Sequence, residues 1–218
     1  MGLDLNIKKK TFIVFIVIIL LMMLVLLCER NVTTLKKQEV LNYKTYTLLK
    51  VSELKNGDIM FRRAYGVESN IAVNFSDGEK KYSHAGIVVI EGDNVSVIHS
   101  LDDRKLHYNG VVKESLVTFL QDIDIWAVYR YELSITLRDN IAKKALVFKN
   151  MNIKFDNQFD LSTDDKMYCS EFIMKIVNLS TGMETIKAKK MLMGRKFVTI
   201  SNLYENKISK LLFSDASL

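Results

Sequence analysis

A run of uncharged, mostly apolar residues near the N-terminus most restricts what this chain can fold into. It extends from Thr11 to Leu27 and reaches 18 residues with Cys28, close to the shortest helix that crosses a bilayer. Three lysines at positions 8 to 10 precede it, and such a charge bias keeps the N-terminus in the cytoplasm and sends the rest of the chain across. We therefore expect residues 1–30 to form a cytoplasmic tip and a single-pass membrane anchor, with the remainder extracytoplasmic.

The end of this run bears on whether the anchor is retained. No small-residue cleavage motif follows it, which favours an uncleaved anchor over a removed signal peptide. A lipoprotein signal with Cys28 as the lipidated residue is the alternative. Leu27 speaks against it, because a small residue is usual at that position.

Composition after the anchor is that of one globular domain. The chain has 218 residues, of which 49% are hydrophobic and 26% charged, and it carries no proline-rich or repetitive linker. We expect a polar stalk at 31–50 and one domain at 51–218. Residues 1–30 hold four basic and two acidic side chains, so they account for +2 of the net charge of +6. The remaining charges are interspersed in sign, which predicts no nucleic-acid partner.

Cys169 is the single cysteine of the predicted domain, since Cys28 belongs to the apolar run. It stands where a loop leads into an amphipathic helix whose buried face is predicted to carry Phe172, Ile173, Ile176, Val177 and Leu179. Free N–H groups and the positive end of the helix dipole favour the thiolate of a cysteine in that position. Cys169 is therefore a candidate nucleophile, and the alternative is a buried structural cysteine.

Two β-rich segments, 84–90 and 95–100, predict a hairpin around the turn sequence at 91–94. With two or four loop residues, the residue numbers of each cross-strand pair add up to 185. His99 then lies opposite Gly86, and His84 lies one pair away on the same face. Their Cβ atoms are then about 7 Å apart. The same face carries Val88 and Val97, and we expect the cysteine helix to pack on it.

The other predicted elements are read from hydrophobic periodicity and turn residues. Strands are expected at 59–61 and 126–131, helices at 115–120 and 137–148, and a loop-rich segment at 64–82. A final helix is expected at 202–212 with Ser201 as its N-cap. Asp58 is interpreted as a turn former and His107 as a surface residue.

A thiol with two imidazoles supplies the parts of a nucleophilic site. We assign Cys169 as nucleophile, His84 as general base and acid, and His99 as the group that orients His84. The backbone N–H of Cys169 would contribute to an oxyanion hole. The same three side chains could instead bind zinc, but a lone cysteine at a helix start favours nucleophilic chemistry, so we predict neither metal nor cofactor.

Four short motifs, in a fixed order, resemble a known family. They are Gly57-Asp58-Ile59, the segment YSHAGI at 82–87, the segment VIH at 97–99, and YCSE at 168–171. This order is similar to that of circularly permuted papain-fold amidases of the YaeF/YiiX type. These belong to the NlpC-like cysteine peptidase superfamily and are related to the lecithin:retinol acyltransferases. The resemblance covers roughly residues 50–205.

The resemblance implies an α+β, permuted papain-like fold in which an antiparallel sheet packs against helices, with Cys169, His84 and His99 in the catalytic positions. The family often has glutamate at the position of His99, whereas the acyltransferase relatives have histidine, so both hydrolysis and acyl transfer stay open. Phe155 stands where tyrosine is frequent.

The expected function is that of a membrane-anchored cysteine amidase or peptidase that acts through a thioester on a peptide or acyl amide. Cell-wall peptide in a bacterial envelope and an acyl amide are the candidate substrates. The alternatives are a thioester-dependent acyltransferase and a non-catalytic module that binds a wall fragment, lipid or protein.

Overall fold

A computed structural model describes residues 15–32, 48–64, 78–103, 107–192 and 194–215. The chain divides into two compact units, 1–45 and 46–218. The predicted stalk at 31–50 and the predicted loop at 64–82 fall largely on residues 33–47 and 65–77, which lie outside the described residues.

The first unit contains one helix, α1 (Phe15–Val32), among its described residues. Its 18 residues have a mean hydropathy of 2.4, and its side chains are exposed. By length and composition it can cross a membrane, as an anchor or as a signal sequence.

An antiparallel sheet of six strands forms the centre of the second unit. Its order is β4-β3-β2-β1-β5-β8, and β6 and β7 form a separate hairpin. The strands are β1 (Ile59–Ala64), β2 (His84–Glu91), β3 (Asn94–Asp103), β4 (Tyr108–Ser115), β5 (Ile123–Tyr131), β6 (Lys190–Leu192), β7 (Arg195–Phe197) and β8 (Ser209–Ser214).

Four helices accompany the sheet in the described part of this unit, together with a 3-10 turn at Val51–Glu53. They are α2 (Leu116–Phe119), α3 (Ile135–Asn150), α4 (Cys169–Thr181) and α5 (Ile200–Tyr204). Ser115 caps α2 and Ser134 caps α3, each accepting a backbone N–H with its hydroxyl. The predicted helices at 115–120 and 137–148 are thereby confirmed.

The two faces of the sheet carry separate hydrophobic clusters. On one face, Ala85, Ile87 and Ile98 pack with the buried residues of α3 and α4. On the other, Val88 and Val97 pack with a group formed by Leu49, Leu54, Leu116, Phe119 and Leu120. The expectation that the cysteine helix packs on the face of Val88 and Val97 was wrong, because α2 and the segment before β1 cover that face.

Two helix predictions also need correction. Leu179 is 57% exposed, whereas Phe172, Ile173, Ile176 and Val177 are fully buried as predicted. The predicted helix at 202–212 is the short helix α5, capped by Thr199, followed by strand β8. Strand β8 pairs with β5 at the edge of the sheet, and this long-range pairing overrides the local helical pattern.

Candidate active site

The hairpin of β2 and β3 has the predicted register. Ile87 pairs with Ile98 and Val88 with Val97. The loop consists of Gly92 and Asp93, and Gly92 has a φ of +59°, which glycine adopts without strain. The parity that sets both histidines on one face is therefore confirmed.

The two imidazoles are in direct contact. Nε2 of His84 lies 2.8 Å from Nδ1 of His99, and the ring centroids are 4.9 Å apart. Gly86 makes this approach possible, because a Cβ there would overlap the side chain of Val97 and lie 3.1 Å from Cβ of His99. Burial, the neighbouring His99 and the cation of Arg62 hold the pKa of His84 well below its usual value.

Sequence reasoning missed Glu114, which lies on the other side of His99. Oε2 of Glu114 is 3.1 Å from Nε2 of His99, and both side chains are buried. Glu114 pairs with Val97 across β3 and β4, which sets it diagonally beside His99 on the same face. No turn motif of the Asn-Gly kind lies between these strands, so the sequence alone did not fix their register.

Arg62 was also missed, although it is the cross-strand partner of His84. Its guanidinium lies 4.4 Å from the ring centroid of Phe119 and donates to the carbonyl oxygen of Phe119 at 2.6 Å. Burial lowers the pKa of Arg62, while Glu114, Cys169 and Asp103 act in the opposite direction. The site therefore contains one buried cation and one buried carboxylate beside the two imidazoles.

Cys169 is the first residue of α4, at the end of the helix where backbone N–H groups are free. Three hydrogen bonds fix this helix start. The carboxylate of Glu171 accepts a hydrogen bond from the N–H of Tyr168 at 3.2 Å. The hydroxyl of Ser170 donates to the carbonyl oxygen of Val198 at 2.9 Å. The hydroxyl of Ser100 donates to the carbonyl oxygen of Met167 at 2.5 Å. Because Ser100 follows His99, the last contact joins the strand of His99 to the segment before the cysteine.

The environment of the thiol differs from the expectation of a stabilised thiolate. Burial raises the pKa of Cys169 to about 11, although interactions with the backbone N–H groups of Ser170 and Ala85 lower it. Ala85 directly follows His84, so the sulfur lies beside the first residues of β2. Within the described ranges, no hydrogen bond joins this sulfur to His84 or His99, and catalytic hydrogen bonds are often formed only when substrate binds.

Three further residues singled out from the sequence have simpler positions. Asp58 is fully buried, accepts a hydrogen bond from the N–H of Lys55 and forms a bidentate ion pair with Arg130. His107 is exposed, as predicted for a surface residue. Phe155 is half-buried and packs against the hydrophobic core cluster that includes residues of α3 and α4.

Comparison with known proteins agrees with this architecture. The sequence model of the permuted papain-like amidases, the YaeF/YiiX, C92 family, matches residues 53–204. The fold is similar to that of the metalloprotein YiiX from Escherichia coli O157:H7, with a TM-score of 0.61 and 19% identity, over 72% of this chain and 96% of that one. A search of curated proteins found no match. Since the family model spans most of the chain, this protein belongs to the permuted papain-like amidases of the YaeF/YiiX family.

Proposed function

We propose that this protein is a cysteine hydrolase that cleaves an amide bond through a thioester on Cys169. The observation that carries the proposal is the position of this sulfur at the free N-terminal end of α4, against the N–H of the residue that follows His84. His84 acts as general base and acid, and His99 orients it through the 2.8 Å contact between the rings.

The reaction starts from uncharged groups. The pKa of the thiol is raised and that of His84 is lowered, so neither is ionised at neutral pH. The thiol transfers its proton to His84 as the sulfur attacks the carbonyl carbon, and the resulting oxyanion is stabilised by free N–H groups at the start of α4. His84 returns the proton to the leaving amine, and water, deprotonated by His84, then hydrolyses the thioester.

The substrate we propose is a peptide or acyl amide outside the cytoplasm, with cell-wall peptide as the first candidate. Support comes from α1, which is apolar enough to anchor the domain to a membrane. Extraction of membranes with alkaline carbonate, followed by mass measurement of the chain, tests the anchor. Release from the membrane, or loss of the N-terminal residues, would contradict it.

Activity is tested with the full chain in detergent micelles, incubated with peptidoglycan peptides and with acyl amides. Cys169→Ala serves as the matched variant, and we expect it to form no product. Unchanged product formation by Cys169→Ala would end the proposal. Hydroxylamine added as a competing acceptor distinguishes hydrolysis from acyl transfer, because an acyltransferase would release chiefly the hydroxamate.

One observation favours a second candidate, a non-catalytic binding module. Cys169 is half-buried against the core and its thiol has a raised pKa, and a structural cysteine without catalytic function would have the same properties. Such a module would bind a wall fragment, lipid or protein equally well with Cys169 or alanine, and no substrate would be consumed. Binding without turnover in the same screen would support it.

The similar protein from Escherichia coli is described as a metalloprotein, which raises the question of a metal here. In the part of the chain that the structure describes, no three His, Cys, Asp or Glu side chains are grouped as metal ligands. Nε2 of His84 and Nδ1 of His99 face each other, and Nε2 of His99 faces Glu114. The contact between the rings uses one nitrogen of each histidine, so the residues present do not form a set of three metal ligands, and the proposed reaction has no metal step.

A further inference from the structure

Glu114 has a geometric relation to the histidine pair that determines where their protons lie. A contact between Nε2 of His84 and Nδ1 of His99 can be made in two ways, since either nitrogen can carry the proton. The pair alone does not decide between them. A third group in contact with one ring decides which nitrogen carries the proton, if that group can only donate or only accept a hydrogen bond.

Glu114 is a group that only accepts when ionised. Burial raises the pKa of its carboxyl, but the contact with His99 and the charge of Arg62 outweigh burial and hold the net value below the usual one. At neutral pH Glu114 is therefore a carboxylate. Its Oε2 lies 3.1 Å from Nε2 of His99, a buried nitrogen that has no hydrogen-bond partner among the described residues, so the carboxylate is the group that this nitrogen faces. The proton of a neutral His99 thus belongs on Nε2.

The remaining positions follow by elimination. With its proton on Nε2, neutral His99 has a lone pair on Nδ1 and must accept there, so His84 donates from Nε2. Neutral His84 then has its lone pair on Nδ1, the only ring nitrogen of the pair that is left free to take a proton.

The charges around the cluster are consistent with two neutral rings. Arg62 on β1 supplies a positive charge that opposes protonation of both imidazoles. Glu114 on β4 offsets that charge, and Asp103 on β3 adds to the negative side. Cys169 on α4 is uncharged at neutral pH. One cation beside one carboxylate stabilises the arrangement without an extra proton on either ring.

We propose that Glu114 is a positioning residue, which fixes the tautomers of His99 and His84 so that Nδ1 of His84 accepts the proton of the Cys169 thiol. In that step the S–H bond breaks, an N–H bond forms on Nδ1, and the electron pair stays on the sulfur for attack. The role of Nδ1 as the base rests on the proposed hydrolase function. The assignment of the tautomers is independent of that function.

The test uses the full chain in detergent micelles, labelled with 15N-histidine and carrying Cys28→Ser so that Cys169 is the only thiol. Long-range proton–nitrogen correlation spectra report which ring nitrogen carries the proton, and exposed His107 serves as an internal reference. We expect His84 and His99 both to carry it on Nε2. A proton on Nδ1 of either ring would overturn the proposal without any variant.

Glu114→Gln is the matched variant, since it keeps the shape and adds a donor that can turn the tautomer of His99 around. We expect mixed tautomers at His99 and alkylation of Cys169 by iodoacetamide at pH 7.5 slowed about 10-fold. Glu114→Asp, which keeps a carboxylate, should restore part of the rate. Unchanged tautomers and unchanged rate in Glu114→Gln would refute the role of Glu114.

The outcomes separate this inference from the hydrolase proposal. If the amide screen finds no turnover while both rings carry their protons on Nε2, the function fails and the effect of Glu114 on the tautomers stands. If turnover depends on Cys169 while a ring carries its proton on Nδ1, the function stands and the inference fails.

Discussion

Arg62 and His84 are directly opposite each other across β1 and β2, so a buried guanidinium lies beside the imidazole that we propose as the base. Two contacts to Phe119 hold the guanidinium there, one with the ring and one with the carbonyl oxygen. A nearby cation disfavours a second positive charge. Together with burial and His99, Arg62 therefore keeps His84 unprotonated.

Arg62→Met should raise the pKa of His84 toward its usual value, because the variant removes a charge that opposes protonation. The measurement is a pH titration of the His84 ring signals by NMR. Arg63→Met is the control, since Arg63 is the next residue and pairs instead with Asp124. A His84 pKa that moves down, or moves equally in both variants, would contradict the charge effect.

Cys169 should react slowly with iodoacetamide at neutral pH and progressively faster as the pH rises toward about 11. A shift from the reference value of 9.0 to about 11 leaves roughly 100-fold less thiolate at pH 7, because a raised acid pKa favours the protonated form. The rate is followed by mass spectrometry in the Cys28→Ser background. A rate that is already at its plateau below pH 7 would indicate a preformed ion pair with His84 and contradict this prediction.

Gly86→Ala should destabilise the fold by about 1–3 kcal/mol, the usual cost of inserting a methyl group into a packed interior. The new Cβ would overlap the side chain of Val97 and press against His99. Urea unfolding measures the change. Val97→Ala in the same chain removes the overlapping methyl groups, so the double variant should lose less stability than the sum of the single ones. Strict additivity would argue against the overlap.

Asp58→Ala should lower the free energy of unfolding by about 3 kcal/mol, because it leaves the guanidinium of Arg130 without its buried partner. Asp58→Asn keeps an acceptor for the N–H of Lys55 and so isolates the ion pair from the turn. Glu184→Ala is the control for an exposed pair, with an expected change below about 0.5 kcal/mol. A small decrease in the free energy of unfolding of Asp58→Ala would contradict the contribution of the ion pair and leave Asp58 as a turn former alone.

Prediction from the sequence succeeded where short-range rules decide the outcome. The turn at 91–94 and the two-residue period of strands fixed the pairing of β2 with β3, and with it the contact between His84 and His99. The amphipathic pattern after Cys169 likewise predicted α4 and most of its buried face. Both arguments need only neighbours within about fifteen residues.

Prediction failed where a distant segment decides. Nothing in the pattern of Val88 and Val97 indicates whether α4 or α2 covers them, since either helix offers an apolar surface. Strand β8 forms because it pairs with β5 at the edge of the sheet, although the paired residues of the two strands are about 80 positions apart in the chain. Glu114 lies beside His99 because of the register between β3 and β4, and no turn sequence specified that register.

The sequence by itself determined the histidine hairpin, the cysteine at a helix start and the family to which their order belongs, because local periodicity and turn chemistry suffice for these. Only the tertiary structure decided that Glu114 and Arg62 flank the imidazoles and that the thiol is neutral at rest. These depend on burial and on charges brought together from separate strands, and the free energy of ionising a group depends on that complete environment.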